Sequence, residues 1–476
     1  MKKTIALFVS LIVMLMTISC VQSPLPSEST PSFEETPKEE TPKEESPDLP
    51  EETPAPAPDM ISLVDSNGVP VFDIVMLDGC GFQTVDMAND LQSKLSALSE
   101  SDFELLVSDS EEIAQNCIII GDTQLAELSV ASSSLEEKQY RILVQDKKII
   151  LTGGCDAAIA CAINEFRKLV SSCELAIEEC ADIVGEIPSN GHLVAFANQS
   201  EARLDVFDLS CKEMTVASRV WSFKIRESNV SDAKFRISDK YGEVVLIACS
   251  GNRYGCMVSY PSGEIIWETK SAAQNPHAIE LLPNGIVAMA SSEGDRVRFF
   301  NPTDSFSETY DAEIVLEDAH GVLWDDEREI LYAIGSNTLE AYTVKQDNTK
   351  IKVTKVADQC ATIPTEGAHD LSADYSNPDR LILSTISKVY SYDKNTGEFT
   401  SAYDEDMGQQ VIRNVKGVGN FKDGSMVYVY PDAKYYGWTT SSAVFVEREE
   451  NGYKTFVLNC QIGHFYKCRV FCSDYN

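Results

Sequence analysis

The chain has 476 residues, of which 43% are apolar, so it can bury the cores of two globular units once its non-globular segments are set aside. Its 75 acidic residues outnumber its 39 basic residues and give a formal net charge of −36. Such a charge repels polyphosphate chains and anionic lipid surfaces, so the composition argues against nucleic-acid binding and against direct adsorption to a membrane.

The first twenty residues have the layout of an export signal. Lys2 and Lys3 form a basic start, an apolar run extends from Ile5 to Met16, and small residues precede Cys20. The apolar run is shorter than the ~20 residues that a membrane-spanning helix needs. Cleavage of this segment is therefore expected.

The string "TIS" before Cys20 resembles the lipobox of bacterial lipoproteins, in which the cysteine is acylated and becomes the new N-terminus. Thr17 stands where that family usually has leucine. The resemblance implies a lipoprotein signal peptide over residues 1–20, lipidation of Cys20, and an extracytoplasmic protein that is anchored to the bacterial cell membrane only through its lipid. Plain secretion with cleavage nearby is the alternative.

Residues 21–58 consist almost wholly of Ser, Pro, Glu, Thr and Lys, and the string "EETPK" occurs twice in tandem. This composition cannot bury enough apolar surface to offset the entropy of ordering, which predicts a disordered tether. At ~3.1 Å per residue, a mostly polyproline II tether would extend on the order of 100 Å. That length is enough to hold a domain clear of a cell envelope.

Strand and helix patterns alternate over residues 59–186 and predict a small α/β domain. Strands are predicted for "VPVFDIVML" and "FELLVSD", and a hairpin that leads into a helix is predicted for "YRILVQDKKIILTGG". This part resembles the accessory N-terminal domain of glycoside hydrolases such as α-glucuronidases and hexosaminidases, which implies a packing module without a catalytic acid. Gly153 and Gly154 fit a strand-to-helix turn better than a phosphate-binding loop, because no Lys-Ser/Thr follows them.

The remainder of the chain repeats one β-hairpin pattern. In three segments a head residue is followed eight residues later by a glycine, at Gly242, Gly285 and Gly424, and His320 and His369 head two variants of the unit. The heads recur at a mean step of about 46 residues, which suits the four short strands of a β-propeller blade. The six heads are Lys234, His277, His320, His369, Lys416 and His464.

The last unit, "HFYKCRVF", contains a single strand. Its partners are available at the start of the region, in "HLVAFANQS", "ARLDVFDLS" and "RVWSFKI", so the C-terminal strand is expected to close the ring against the first blade. The predicted fold is therefore mainly β, a six-bladed β-propeller over residues 190–476 that is preceded by the small α/β domain.

Six strings in this region resemble an uncharacterised family of secreted bacterial six-bladed propellers, a domain of unknown function. They are "SDAKFR", "PHAIELLPNG", "AHGVLW", "GAHDLS", "VKGVGNF" and "GHFYKCRVF". Cys468 departs from the small residue expected in the last string. The resemblance implies the propeller fold and lends no activity.

Cysteine usage indicates neither a zinc knuckle nor a complete disulfide framework, because the 14 cysteines are scattered without a Cys-x-x-Cys pair. Most of them are expected to be small buried apolar residues. Cys468 and Cys472 are close in sequence, but strand geometry does not favour a bond between them.

Equivalent positions at the start of each inner strand of a propeller surround one mouth of its channel. The six heads are therefore expected to form a ring of imidazoles and ammonium groups inside an acidic protein. His192 lies outside the repeat and is interpreted as structural. The imidazoles of the ring are candidate ligands of a divalent transition metal, Mn, Zn or Fe. They are His277, His320, His369 and His464.

The first functional hypothesis is an enzyme that acts on an anionic oligosaccharide or polysaccharide, by β-elimination or metal-assisted hydrolysis. Lys234, Arg236 and Lys416 are candidates to neutralise a uronate carboxylate. Trp438 is a candidate sugar platform in a polar segment. The candidate catalytic groups are His277, His320, His369 and Lys416.

Three further side chains have assigned roles. Asp370 is a candidate to orient a ligand beside His369. Trp221 and Trp324 fit packing between blades.

The architecture and the histidine placement are similar to those of oligogalacturonate lyases, which hold a divalent metal on histidines at the channel mouth.

Two alternatives remain open at this stage: a non-catalytic propeller that binds an anionic glycan, and a propeller that serves as a protein-interaction platform. The sequence contains no obvious pair of catalytic carboxylates and no Ser-His-Asp motif that would favour the enzyme.

Overall fold

The computed structural model describes residues 58–475, apart from five gaps at 109–115, 123–128, 348–349, 403–412 and 433–436. The predicted signal peptide, Cys20 and almost all of the predicted tether lie outside these residues. Residues 57–476 form one compact unit. No helix in the described part of the chain is long and apolar enough to cross a membrane.

The first part of the structure is a mixed sheet with helices packed against it. Its elements are β1 (Met60–Ser62), β2 (Asp73–Leu77), α1 (Phe82–Ser99), β3 (Leu105–Ser108), β4 (Cys117–Ile120), α2 (Ser129–Ser132), β5 (Gln139–Gln145), β6 (Lys148–Gly153), α3 (Asp156–Ser172), β7 (Ala176–Glu178) and β8 (Asp182–Glu186). The six-stranded sheet has the order β3-β2-β4-β6-β5-β8, with parallel pairing from β3 to β6 and antiparallel pairing beyond it. A separate pair joins β1 and β7.

The central strands of this sheet explain its sequence pattern. All four residues of β4 are buried, as parallel strands covered on both faces require, and its string "CIII" is continuously apolar for that reason. Helices α1 and α3 contribute Leu91 and Phe166 to the core on one face. The observed elements match the predicted strands and helices, while the boundary of a separate domain stays a prediction.

Six antiparallel sheets follow and form the blades of a propeller. In chain order, the first blade contains β9 (Leu193–Asn198), β10 (Arg203–Asp208) and β11 (Arg219–Lys224), and the second contains β12 (Val230–Ser238), β13 (Gly242–Cys249), β14 (Tyr254–Ser259) and β15 (Ile265–Thr269). The segment of the third blade contains β16 (Pro276–Leu281), β17 (Val287–Ser291), β18 (Arg296–Phe300), β19 (Phe306–Ser307) and β20 (Ala312–Val315), and that of the fourth contains β21 (Ala319–Asp325), β22 (Ile330–Gly335), β23 (Thr338–Asp347), β24 (Lys350–Lys355) and β25 (Ala361–Thr362). The fifth blade contains β26 (Ala368–Ala373), β27 (Arg380–Thr385), β28 (Val389–Asp393) and β29 (Phe399–Ser401), and the sixth contains β30 (Gly417–Asn420), β31 (Met426–Val429), β32 (Ser442–Glu449) and β33 (Gly452–Asn459).

The last strand, β34 (Phe465–Val470), closes the ring. It pairs antiparallel with β9, so the first sheet has the order β11-β10-β9-β34 and β34 is its innermost strand. The predicted closure of a mainly β, six-bladed propeller by its C-terminal strand is confirmed. Two short strands lie outside the four-strand pattern, since β19 pairs with β15 of the preceding blade and β25 pairs with β23.

The repeated glycine turn is also confirmed. Gly242, Gly285 and Gly424 have φ angles of 72°, 85° and 84°, a backbone region in which a side chain would be strained. Each of these glycines therefore marks the same tight turn between the first and second strands of its blade.

A β-bulge lies at the start of the inner strand in five blades. The strand pairing shifts by one residue at Ser231, His277, His320 and His369, and a shift also occurs between Phe465 and Cys468. A bulge turns its extra residue out of the ladder and increases the local twist. The bulged residues are thereby presented at one mouth of the channel.

Charged side chains fill the channel below that mouth. From the last strand, Arg469 makes two 2.5 Å hydrogen bonds to Asp370 and lies 2.7 Å from Asp232, and the Lys467 ammonium lies 3.3 Å from Asp370. Lys234 donates to Asp232 at 3.1 Å. These five side chains, here called the plug, are all at least 95% buried. Burial alone would raise the pKa of Asp232, but the positive charges of Arg469 and Lys234 hold it at about 2.

Several side chains have the structural roles that the sequence suggested. His192 lies 2.9 Å from Asp423 and packs on Phe421, which ties the first blade to the sixth. Trp221 is buried and packs edge-on against Tyr260 of the next blade. Trp324 belongs to the core shared by the third and fourth blades. Cys468 and Cys472 are both free thiols.

The plug predicts a large stability loss in Arg469→Met. The change would leave two buried carboxylates short of their main cation, which costs about 3–5 kcal/mol of unfolding free energy. Guanidinium unfolding followed by fluorescence measures it. Arg226→Met, at an exposed arginine, is the matched control and should change stability by less than about 0.5 kcal/mol. Equal effects of the two variants would show that the plug does not hold the propeller closed.

Candidate functional site

Six inner strands bring six side chains to one mouth of the channel. Five stand at the bulges, and Lys416 directly precedes β30, which has no bulge. The ring of the structure consists of Ser231, His277, His320, His369, Lys416 and Tyr466.

This ring differs from the predicted one at its two ends. Strand register places Ser231, rather than Lys234, at the position of His277 in the second blade. In the last strand the equivalent position is Tyr466, whose ring lies 5.5 Å from that of His277, and His464 lies two residues earlier. The predicted heads share a basic or imidazole side chain. The residue that reaches the mouth is instead determined by the position at which each bulge inserts its extra residue.

Three imidazoles lie side by side at the mouth. The ring centroids of His277 and His320 are 4.6 Å apart, and those of His320 and His369 are 5.3 Å apart. On the far side of His369, the Lys416 Nζ lies 2.9 Å from the His369 Nε2. His277, His320 and Lys416 are each 8–9% exposed, so only a small part of each side chain is accessible at the mouth.

Hydrogen bonds determine which imidazole nitrogen carries the proton. The Nδ1 atoms of His277 and His320 each lie 2.9 Å from a backbone carbonyl, of Asn275 and Asp318, and must donate to it. An ammonium group can only donate, so His369 Nε2 accepts from Lys416. His369 is therefore neutral with its proton on Nδ1, and a neutral His277 has Nε2 as its acceptor atom. His320 Nδ1 also lies 3.2 Å from the Asp318 carboxylate.

Burial and positively charged neighbours lower the pKa values of three basic side chains at the mouth. Burial lowers the pKa of His277 well below its usual value, and nearby His320 and Lys467 lower it further. Burial and the Lys416 ammonium lower the pKa of His369 to about 3. Burial and the Lys467 charge lower the pKa of Lys416 to about 8.

The other predicted carboxylate-binding cations lie deeper in the channel. Lys234 belongs to the plug and also donates to the carbonyls of Ile279 and Val322, at 2.8 and 3.0 Å. Arg236 forms a two-bond ion pair with Glu280, both bonds being 2.9 Å, and is 1% exposed. Both cations are therefore fully engaged by the protein, in contrast to Lys416.

Asp370 does not orient a ligand beside His369. Its carboxylate is fully buried in the plug and also accepts from the backbone N–H of Val418 at 2.9 Å. Its role in the structure is to pair the cations of the last strand.

The fit to a metal ion is poor. Among the residues that the structure describes, no group of three or more His, Cys, Asp or Glu side chains has an arrangement suited to a metal. Lys416 donates to Nε2 of His369, which is the lone pair that a metal would need. His464, the fourth predicted ligand, is not a member of the ring.

His464 and Trp438 lie at the rim of the mouth. Gln199 connects them, because its backbone N–H donates to the His464 carbonyl at 2.9 Å and its Oε1 accepts from Trp438 Nε1 at 3.2 Å. The same glutamine donates to the Val230 carbonyl at 3.0 Å, directly before the ring residue Ser231. Trp438 is 49% exposed, which is compatible with its predicted role as a platform.

Tyr466, Lys467 and Arg469 are not among the site residues predicted from the sequence. A signal for the last two is visible in "HFYKCRVF", where Lys467 and Arg469 are two residues apart in a strand that must be buried on both faces. The same spacing of two relates Asp232 and Lys234. Charged residues that lie two positions apart in an inner strand therefore indicate the face of that strand that lines the channel.

A model of the family of unknown function DUF6528 matches residues 170–449. No curated protein matches the chain.

Solved structures with low similarity include a functionally unknown protein from Desulfotomaculum acetoxidans, at 9% identity over 56% of this chain and 78% of the other, with a TM-score of 0.38. A chain of a nidogen/laminin complex matches at 16% identity over 60% and 100%, with a TM-score of 0.41. A protein of unknown function from Bacteroides caccae matches at 8% identity over 59% and 98%, with a TM-score of 0.41.

The neutral imidazoles predict a specific loss of stability in acid. Below pH ~6.5 the unfolded chain binds protons at His277 and His369 that the folded chain, with its lowered pKa values, does not. Stability should therefore fall as pH falls from ~6.5 towards 3, by up to about 1.4 kcal/mol per pH unit for each imidazole. Urea unfolding between pH 7.5 and 4.5 measures this effect. The free energy of unfolding should fall less per pH unit in His277→Gln and His369→Gln than in the unmodified protein. An equal dependence on pH in variants and unmodified protein would contradict neutral, buried rings.

Proposed function

The chain belongs to the family of unknown function DUF6528, and we propose that its channel mouth binds an acidic sugar. The observation that carries the proposal is the row of three imidazoles that ends at the Lys416 ammonium. The proposed ligand is a uronate unit of an anionic oligosaccharide or polysaccharide.

The donors and acceptors of the mouth are complementary to such a unit. Lys416 has three N–H donors and gives one to His369, so the others can bind a carboxylate. The Nε2 atom of the neutral His277 ring is an acceptor for a sugar hydroxyl. Trp438 at the rim offers an exposed aromatic face against which a sugar ring can pack.

The local charge supports an anionic ligand despite the acidic protein. The plug holds three cations against two carboxylates, and Lys416 adds a fourth cation at the mouth, where the Asp318 carboxylate beside His320 is the third negative charge. Lys467 lies directly beneath the imidazoles, since its Nζ donates to the carbonyls of His277 and His320 at 3.0 and 3.3 Å. A carboxylate at the mouth therefore experiences a net positive field.

A purely structural role for the imidazoles fits less well. In the described part of the chain, His369 Nδ1 is buried without a hydrogen-bond partner. An unpaired buried N–H costs about 1–3 kcal/mol, which an apolar side chain would avoid. The lowered pKa of Lys416 shows that burial and Lys467 destabilise its ammonium, which a bound carboxylate would stabilise.

Turnover by β-elimination is the second candidate function, favoured by the pKa of Lys416 of about 8. Near that pH a sizeable fraction of its amine is neutral and can accept the proton from the carbon next to the uronate carboxylate. The electron pair forms a carbon–carbon double bond, and the glycosidic oxygen leaves with a proton from solvent. The product is an unsaturated uronate.

The proposal includes a location outside the cell. A lipid on Cys20 would anchor the protein to the bacterial membrane, and the acidic tether that follows would hold the mouth away from the surface. A tethered receptor in this position meets extracellular glycans.

Binding should depend on Lys416. We expect Lys416→Met to weaken binding of D-glucuronate or D-galacturonate at least about 10-fold, because the main charged donor is lost. Isothermal titration calorimetry measures the affinity, and ultraviolet absorbance of unsaturated uronate reports elimination. Lys388→Met, at an exposed lysine of a neighbouring blade, is the control. Equal affinities of the two variants would refute the mouth as the acid site, and a failure of the unmodified protein to bind either acid would favour a protein-interaction role.

Anchoring should depend on Cys20. Replacement by alanine removes the acylated residue, so Cys20→Ala should move the protein from the membrane fraction of producing cells into the medium. Immunoblots of fractionated cells measure this, with Cys211→Ala as a control at an exposed cysteine. Retention of Cys20→Ala on membranes would contradict the lipobox interpretation.

A further inference from the structure

A cleft of about 480 Å³ lies where α1 meets the first blade and the segment before β34. One wall is helical and the others come from the propeller. It is lined by Asp86, Asn89, Ser200, Glu201, Arg203, Val216, Arg219, Gln461, Ile462, Gly463 and His464.

The floor of the cleft is a buried ionic cluster. The Arg219 guanidinium lies 2.7 Å from the Asp86 carboxylate, and Arg203 lies 2.7 Å from the fully buried Asp205. Both guanidinium groups also lie about 6.0 Å from the ring centre of Phe82 at the start of α1. These contacts hold helix and blade together, so the cleft has a rigid polar base.

The charges of the cleft favour a neutral ligand. Two guanidinium groups face the carboxylates of Asp86 and Asp205, and Glu201 also lines the cleft, which leaves no excess positive charge. Asp86 retains 38% exposure of its side chain, and both of its arginine contacts are made by Oδ2. Carboxylate acceptors, amide groups and guanidinium donors in one concave site are complementary to the hydroxyls of a sugar.

The cleft and the channel mouth are lined by neighbouring residues of the chain. His464 lines the cleft, and Tyr466, two residues further along the chain, is a member of the ring. Ser200 of the cleft follows Gln199, which bonds both Trp438 and the carbonyl before Ser231. The exposed Trp438 therefore lies at the junction between the two sites.

We infer that the cleft is a second sugar subsite, which binds a neutral unit linked to the acidic unit at the mouth. This inference rests on the proposed function of the mouth. It makes α1 part of the recognition surface, because Asp86 and Asn89 form one wall of the subsite. The ligand is then an oligosaccharide of mixed composition, with a uronate next to a neutral hexose or pentose.

The experiment compares the affinities of two kinds of probe for the full chain by calorimetry. One is free D-glucuronate or D-galacturonate, and the other is a disaccharide of the same uronate with xylose or rhamnose. We expect the disaccharide to bind about 10-fold more tightly than the free acid. Asn89→Trp fills the cleft from an exposed position of α1 and should abolish this gain without changing the affinity for the free acid.

Two further variants keep the result interpretable. Ala97→Trp places the same side chain at an exposed position of α1 outside the cleft and should retain the gain. Glu201→Trp blocks the cleft from its blade wall and serves if Asn89→Trp does not fold.

The possible outcomes separate the two proposals. If both blocking variants keep the gain while Lys416→Met weakens both probes, the subsite is refuted and the mouth stands. If Lys416→Met changes neither affinity while the blocking variants abolish the gain, the cleft binds sugar, but the mouth is refuted and with it the pairing of the two subsites. If the unmodified protein binds no probe, both are refuted.

Discussion

The pairing of buried charges inside the channel is the constraint on which the rest of the structure depends. Lys467 and Arg469 arrive on the last strand and meet Asp370 and Asp232, which come from other blades. A charge buried without a partner costs several kcal/mol, so the strand can dock only where all four groups pair. A slip of one residue would turn both cations into the apolar space between blades. The plug therefore specifies the register of closure as well as the closure itself.

The chemistry of the mouth follows from the same plug. Lys467 bonds the carbonyls of His277 and His320 and so positions the two residues from below. Its charge also lowers the pKa values of His277 and Lys416. His277 therefore remains a neutral acceptor inside an acidic protein. The residues that close the propeller thus also set the charge and the hydrogen bonding of the mouth.

The sequence predicted the repeated parts of this architecture well. The glycine turns and the three central histidines recur in similar blades, so a common period located them. The predicted ends of the ring were less accurate, because Lys234 and His464 match the heads in charge or ring type but not in register. A bulge shifts register by one residue and leaves no composition signal of its own.

The cleft could not be predicted in this way, since it combines segments near residues 86–89, 200–219 and 461–464 that share no repeat. It forms at the seam where the last strand meets the first blade and α1. A ligand bound across cleft and mouth would contact β34, the first blade and the helix together. Because binding to the folded state alone stabilises it by mass action, such a ligand would add to the closure that the plug provides. Strand β34 would then both close the ring and contact the ligand. This shared role is a physical reason for the site to lie where the ring closes.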